Sequence, residues 1–245
     1  MKNVVIALSF SILTSTCLAI PFLQLDIGGG LYVGGSEEST LTSANEFILY
    51  ALADSRKGEN NLGSNWTDDR FFLSFAITPG LAYQPSGGPD LGSFSINGTV
   101  YSATGDMVFG VPPIEDNGEA GKDGGDLGKH DVYKTYFLEQ EFQFTGANTS
   151  GRYNVAEDSG DVTNYSGSRL FYESWNIDTH NLAEGYDLHF DLYHKNYLSS
   201  SDLDIDYKAP FSKDAGTRVL EPPSIALFVL GLIGLGIIRR TEHKD

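Results

Sequence analysis

The chain has 245 residues, 16 Lys+Arg against 33 Asp+Glu, a net charge of −17 and a single cysteine. So acidic a surface repels nucleic acid, whose affinity rests on neutralising phosphates, and one cysteine excludes a disulfide-stapled scaffold. In chain order, Met1-Lys2-Asn3 is a small positive region, Val4 to Leu13 an apolar stretch and Cys17-Leu18-Ala19 a small-x-small site. This is the pattern of a secretory signal peptide over residues 1–19, cut by signal peptidase between Ala19 and Ile20. A lipoprotein would instead acylate Cys17, but Thr14 and Thr16 are poor residues ahead of such a cysteine. Cleavage after Ala19 removes the only thiol, so stability of the exported part has to come from burial.

Residues 20–218, about 200 in number, are ample for one substantial core. Their pattern is β. Leu23, Leu25 and Ile27 alternate with Gln24 and Asp26. Tyr136, Leu138, Phe142 and Phe144 oppose Glu139, Glu141 and Gln143; Tyr186, Leu188, Phe190 and Leu192 oppose Asp187, His189 and Asp191; Leu203, Ile205 and Tyr207 oppose Asp202, Asp204 and Asp206. Period two with one apolar and one wet face marks a half-buried strand of an antiparallel sheet. Phe47–Leu52, Phe71–Ile77, Phe94–Tyr101 and Leu170–Trp175 are further strands by aromatic and β-branched content. No stretch holds a helical period. The expectation is all-β: an antiparallel β-sandwich of about eight strands. Gly105–Lys129 and Gly146–Gly167 read as long polar loops, and Gly28–Gly35 as a turn or bulge.

The last segment, 219–245, is a different material. Glu221-Pro222-Pro223 precedes an unbroken apolar run, Ile225–Ile238, followed at once by Arg239-Arg240. Ser224–Ile238 makes roughly 22 Å of helix at ~1.5 Å per residue, short for a hydrocarbon core of about 30 Å. Basic residues just past an apolar segment stay on the cytoplasmic side, which puts the tail inside the cell and the preceding domain outside.

Val219-Leu220-Glu221-Pro222-Pro223-Ser224-Ile225-Ala226-Leu227, the Gly/Leu-rich run and Arg239-Arg240 resemble the PEP-CTERM sorting domain of Gram-negative bacteria. Leu220 stands where that family has its first Pro, and five residues follow the arginines. The resemblance implies that Glu221, Pro222, Arg239 and Arg240 are read by exosortase, an intramembrane cysteine transpeptidase, with 224–238 as a transmembrane sorting helix in the inner membrane. Ala19–Leu25, Phe47–Tyr50, Phe72–Ala76, Asp131–Phe137, Gly185–Tyr193 and Ala209–Ala215 resemble the choice-of-anchor N family of exported domains. That resemblance implies a surface or matrix protein, structural or adhesive in exopolysaccharide or biofilm, and assigns no catalytic activity.

Chemistry within the domain is sparse. His189 and Asp191 share a strand face, with His180 and His194 near in sequence, but a zinc site needs three or four ligands in a defined shell. Asp202, Asp204 and Asp206 imitate the start of a calcium loop; Tyr207 and Lys213 occupy the positions where an EF-hand needs Gly and Glu. These acids, like Asp123 and Asp126, remain candidate calcium ligands outside that motif, and no other cofactor or metal is expected. Glu139 and Glu141 lie about 7 Å apart on one strand face, a spacing every alternating strand shows, so they make no glycosidase pair. No Gly-x-Ser-x-Gly, His-Glu-x-x-His or P-loop occurs. The expectation is a protein that is not an enzyme. An alternative, a carbohydrate-binding β-sandwich module, requires Trp66 or Trp175 to lie exposed where an indole can stack on a sugar ring. A secreted hydrolase would require two acids converging in a concave site.

Overall fold

The computed structural model describes residues 21–34, 39–115, 117–121, 127, 132–160, 162–199, 202–210 and 215–217. Ala19 and Ile20 of the expected cleavage site, Glu221, Pro222, Arg239 and Arg240 of the expected sorting signal, and Asp123 and Asp126 lie outside these residues. Among the described residues no helix is long and apolar enough to cross a membrane.

In chain order the elements are β1 (Leu23–Ile27), β2 (Leu31–Val33), β3 (Ser39–Thr42), β4 (Glu46–Asp54), α1 (Ser55–Asn61), β5 (Phe71–Thr78), β6 (Ser93–Ile96) and β7 (Thr99–Ser102). Then come β8 (Val108–Ile114), β9 (Ala120–Gly121), β10 (Thr135–Phe142), β11 (Thr149–Ser150), α2 (Val155–Asp158), β12 (Leu170–Asp178), β13 (Asp187–Ser199), β14 (Asp202–Lys208) and β15 (Ala215–Thr217). They form two sheets. The first runs β1-β4-β12-β6-β7 with β11 beside β12; the second runs β2-β3-β15-β13-β5-β10-β8-β9 with β14 beside β13.

The apolar members of the period-two segments do meet. Leu23, Leu25 and Ile27 of β1, Leu49 and Ala51 of β4, and Trp175 and Ile177 of β12 share one cluster with Phe71, Leu73, Phe75 and Ile77 of β5 and Leu188, Phe190 and Leu192 of β13. That cluster lies between the sheets and is rich in edge-on rings: Phe75 packs on Phe190 at 5.4 Å and Phe142 on Trp175 at 4.9 Å between centroids. Such geometry aligns ring edges with ring faces, and each pair adds about 1 kcal/mol beyond its burial.

Four expectations need correction. Phe94–Tyr101 is not one strand but the hairpin β6–β7, because Asn97 (φ 51°) and Gly98 (φ 82°) take the positive dihedrals of a two-residue turn. The segments read as long loops carry structure: β8 and β9 lie within 105–129, and β11 and α2 within 146–167. Pro112 and Pro113 survive inside β8 at a register irregularity between Val111 and Ile114, where ladder donors are not required. The strands therefore number fifteen among the described residues rather than about eight. Not every pairing is antiparallel either: β15 runs parallel to β3 while antiparallel to β13, a long-range insertion that leaves no local pattern.

The largest departure concerns the wet faces. Gln24 and Asp26 of β1, Ser74 of β5 and Asp191 of β13 are all buried. Each sheet carries a cover on its outer side. Tyr153, Val155 and Val162 close over Tyr50, Leu52 and Leu170 of the first sheet. Leu127 and Tyr133 close over Phe72 and Tyr193 of the second, beside Val111 of β8. Of Gly28–Gly35, read as a turn or bulge, Gly28–Gly29 form a turn but Leu31–Val33 form strand β2.

Candidate functional site

The densest polar constellation lies on the outer face of the second sheet. Cross-strand register sets Glu139 of β10 opposite Ser74 of β5, and Ser74 opposite Asp191 of β13. Period two then places His189, Tyr193 and Lys195 on the same side as Asp191. The Tyr133 hydroxyl lies 2.5 Å from Ser74 Oγ and donates to Asp191 Oδ2 at 2.7 Å. His189 Nε2 lies 3.4 Å from Asp191 Oδ1. A step away, Tyr193 donates its hydroxyl to Glu139 Oε1 at 2.5 Å, and the Ile114 N–H reaches the same carboxylate oxygen at 3.1 Å. Glu139 Oε2 pairs with Lys195, whose ammonium also donates to the Ile114 carbonyl at 3.0 Å and sits 4.0 Å over the Phe72 ring. Burial, then the Glu139 charge, pushes the Tyr193 phenol well above its ordinary range.

Serine, histidine and aspartate side by side suggest nucleophilic catalysis, but the geometry does not deliver it. Tyr133 stands between Ser74 and Asp191, and Ser74 is fully buried beneath the cover. A nucleophile must be in hydrogen-bond reach of its base and of substrate. The Tyr133 contacts instead fasten the cover to the sheet, and the Glu139 network ties β8, β10 and β13 together. The buried Ser74, Asp191, Glu139 and Lys195 side chains each gain a hydrogen-bond partner, which is what a low-dielectric interior requires.

A second cluster sits at the exposed rim of the first sheet. Glu46 of β4 is directly opposite Asp178 of β12. Two residues on, His180 turns back so that its Nδ1 is 2.8 Å from Asp178 Oδ1 and 3.8 Å from Glu46 Oε1. The three candidate ligand atoms lie within 4.8 Å of one another. Hydrogen bonds from the backbone and ring of His180 hold the Asp178 carboxyl below its usual range. Shallow grooves flank the cluster, one lined by Ile48, Ser95 and Asn176, the other by Asn45, Glu184 and Asp187. Two carboxylates and one imidazole could hold a divalent cation with open coordination positions. Sequence reasoning misses this cluster because Glu46 and Asp178 are brought together only by strand register.

The candidates picked from sequence are dispersed. His189 and Asp191 do share a face, yet His180 lies just beyond β12 of the other sheet and His194 pairs with Asp206 at 2.7 Å. Asp206 is thereby engaged, Asp204 is partly buried, and the side chain of Asp202 lies outside those described. Glu139 is buried in its Lys195 pair whereas Glu141 is exposed and bridges Arg70 at 3.0 Å, so the two acids do not converge. Both indoles are buried, Trp66 at 2% and Trp175 at 5% exposure. Trp66 is stacked on Phe171 and edge-on to Phe22 and Phe71. Neither indole has a face to offer a sugar ring. No family model, curated protein or solved structure matches this chain.

Proposed function

We propose that this is an exported, non-enzymatic cell-surface or matrix protein and the substrate of an exosortase-type transpeptidase. The observation that carries the reading is the order Glu221-Pro222-Pro223, apolar Ile225–Ile238, Arg239-Arg240 at one end of a chain whose other end has the layout of a cleavable signal. The domain between them supports it in kind: its two sheets read as a β-sandwich, and the Tyr133–Ser74–Asp191 network is spent on holding a cover in place rather than facing solvent.

In this reading signal peptidase cuts between Ala19 and Ile20, and residues 224–238 hold the precursor in the inner membrane with Arg239 and Arg240 inside. The enzyme's thiolate attacks the carbonyl carbon of a peptide bond near Glu221-Pro222. The bond breaks, the departing amine leaves with the helix, and an acceptor nucleophile takes the domain from the thioester. The protein's own residues supply recognition and no catalysis. Removing Lys2, Arg239, Arg240 and Lys244 from the bases, and Glu242 and Asp245 from the acids, leaves 12 and 31, a net charge of −19. That charge keeps the released domain soluble and apart from anionic lipid. A structural or adhesive place in the exopolysaccharide matrix outside a Gram-negative cell follows from the same reading.

Mass spectrometry of the C-terminal peptide from surface and medium fractions tests it. A terminus near Glu221-Pro222, with or without added mass, is the expected result. An intact terminus at Asp245 in both fractions would overturn the transpeptidase reading and leave a permanently tethered protein.

A further inference from the structure

The described residues of 149–165 begin at β11, which pairs with β12 in the first sheet, and from Tyr153 on lie across the outer side of that sheet, fastened there by a few polar contacts. Gln24 clamps it from β1: the Val155 N–H donates to Gln24 Oε1 at 3.0 Å, and Gln24 Nε2 reaches the Tyr153 carbonyl at 3.5 Å. Asp26, two residues on, accepts the Tyr153 hydroxyl at 2.5 Å and the Gly160 N–H at 3.1 and 2.9 Å on its two oxygens. The Gly29 N–H donates to the Gly160 carbonyl at 3.0 Å and the Tyr32 N–H to Ser159 Oγ at 2.9 Å. The apolar residues beneath form their own cluster, Tyr50, Leu52, Tyr153, Val155, Val162 and Leu170, separate from the layer between the sheets. Segments with a private cluster can open without breaking the rest of the fold.

We propose that residues 149–165 form a pH-responsive strap, in which ionisation of the buried Asp26 carboxyl loosens the segment and uncovers the apolar outer face of the first sheet. The group is fully buried. Burial pushes its carboxyl up to about 6, and the hydrogen bonds from Tyr153, Gly160 and Ile27 only partly offset that. Among the described residues no cation offsets its charge, and Arg152 of the segment is exposed. β4 presents Tyr50 directly opposite, whose own phenol is raised by burial and then by Tyr172 and Asp26. β12 contributes Tyr172, β3 the neutral Thr40, and the strap Tyr153, with Glu157 and Asp158 on α2; Asp158 accepts the Tyr165 hydroxyl at 2.7 Å. Opening the strap hydrates Asp26 and returns it to its ordinary value of 3.8. The closed state is therefore favoured fully below that value and loses its advantage as pH rises through about 6.

Hydrogen exchange of the full chain, read by mass spectrometry on peptides from 149–165 and corrected for intrinsic rates, tests this between pH 5 and 8, above the isoelectric point of about 4.5. Linkage predicts about a tenfold rise in strap opening over that range, with β5 peptides flat as an internal reference. Asp26→Asn is expected to abolish the rise, whereas Tyr153→Phe is expected to open the strap more at every pH while keeping it. A strap whose corrected exchange does not change with pH, or changes in parallel with β5, overturns the proposal even if no variant folds. An equal rise in Asp26→Asn overturns it as well.

Discussion

Lys195 of β13 and Glu139 of β10 offer the sharpest test of how the outer face of the second sheet is held together. Both side chains are nearly out of water, at 4% and 7% exposure. Removing one member of a buried pair strands the other and costs about 3–5 kcal/mol, while replacing both by apolar groups is close to neutral. The two single replacements should differ. In Lys195→Met, Glu139 keeps the Tyr193 hydroxyl and the Ile114 N–H as donors, so the loss falls at the lower end, about 3 kcal/mol. In Glu139→Leu, Lys195 retains only the Ile114 carbonyl and the Phe72 ring, and Tyr193 and Ile114 both lose their acceptor. That replacement should cost about 5 kcal/mol. The double variant strands no charge, so it should cost far less than the sum, falling short of it by at least about 3 kcal/mol. Urea unfolding followed by tryptophan emission reads all four proteins, since both indoles are buried in the native state. Losses that simply add, or a Glu139→Leu variant more stable than Lys195→Met, would refute this account of the network.

Two further expectations rest on single sites. At Gly58 of α1 an added Cβ would lie 2.4 Å from Trp66 Cε2 and 2.6 Å from Cδ2, and the indole is boxed in by Phe22, Phe71 and Phe171. Gly58→Ala gains up to about 1 kcal/mol of helix propensity but loses about 1–3 to overpacking; a lowered Tm with altered emission is expected, and a raised Tm would contradict it. The Tyr193 phenol, held up by burial and Glu139, should stay protonated in an alkaline spectrophotometric titration until the protein unfolds, and Tyr193→Phe should leave the native-state titration unchanged. A loss of native-state tyrosine absorbance change in Tyr193→Phe would count against that burial.

How far the fold can be read without coordinates varies with the range of the signal. β1, β4, β5, β10, β12, β13 and β14 are legible because alternation and aromatic content lie within a few consecutive residues. The β6–β7 hairpin has a local mark too, Asn97-Gly98, and a reading that weighs turn chemistry above aromatic content finds it. Pro112-Pro113 argues against a strand and is outvoted by the irregular register that tolerates it. At the rim of the first sheet, Glu46 and Asp178 are 132 positions apart in the chain and meet only through the β4–β12 register.

The sequence by itself determined an acidic, cysteine-poor, two-faced β pattern between an export-like start and a sorting-like end, because charge, composition and period two are sums over neighbours. Only the tertiary structure decided which polar faces meet water. Gln24, Asp26, Glu139 and Asp191 carry the alternation of solvent-facing residues, yet all are kept from water: Gln24 and Asp26 by 149–165, Asp191 with Ser74 by Tyr133, and Glu139 by its Lys195 pair. Period two fixes the side of the sheet on which a residue points. What stands on that side is set by chain from more than 100 positions away for Gln24 and Asp26 and about 60 for Ser74 and Asp191, and burying those groups is tolerable only because the covers bring the hydrogen-bond partners they need.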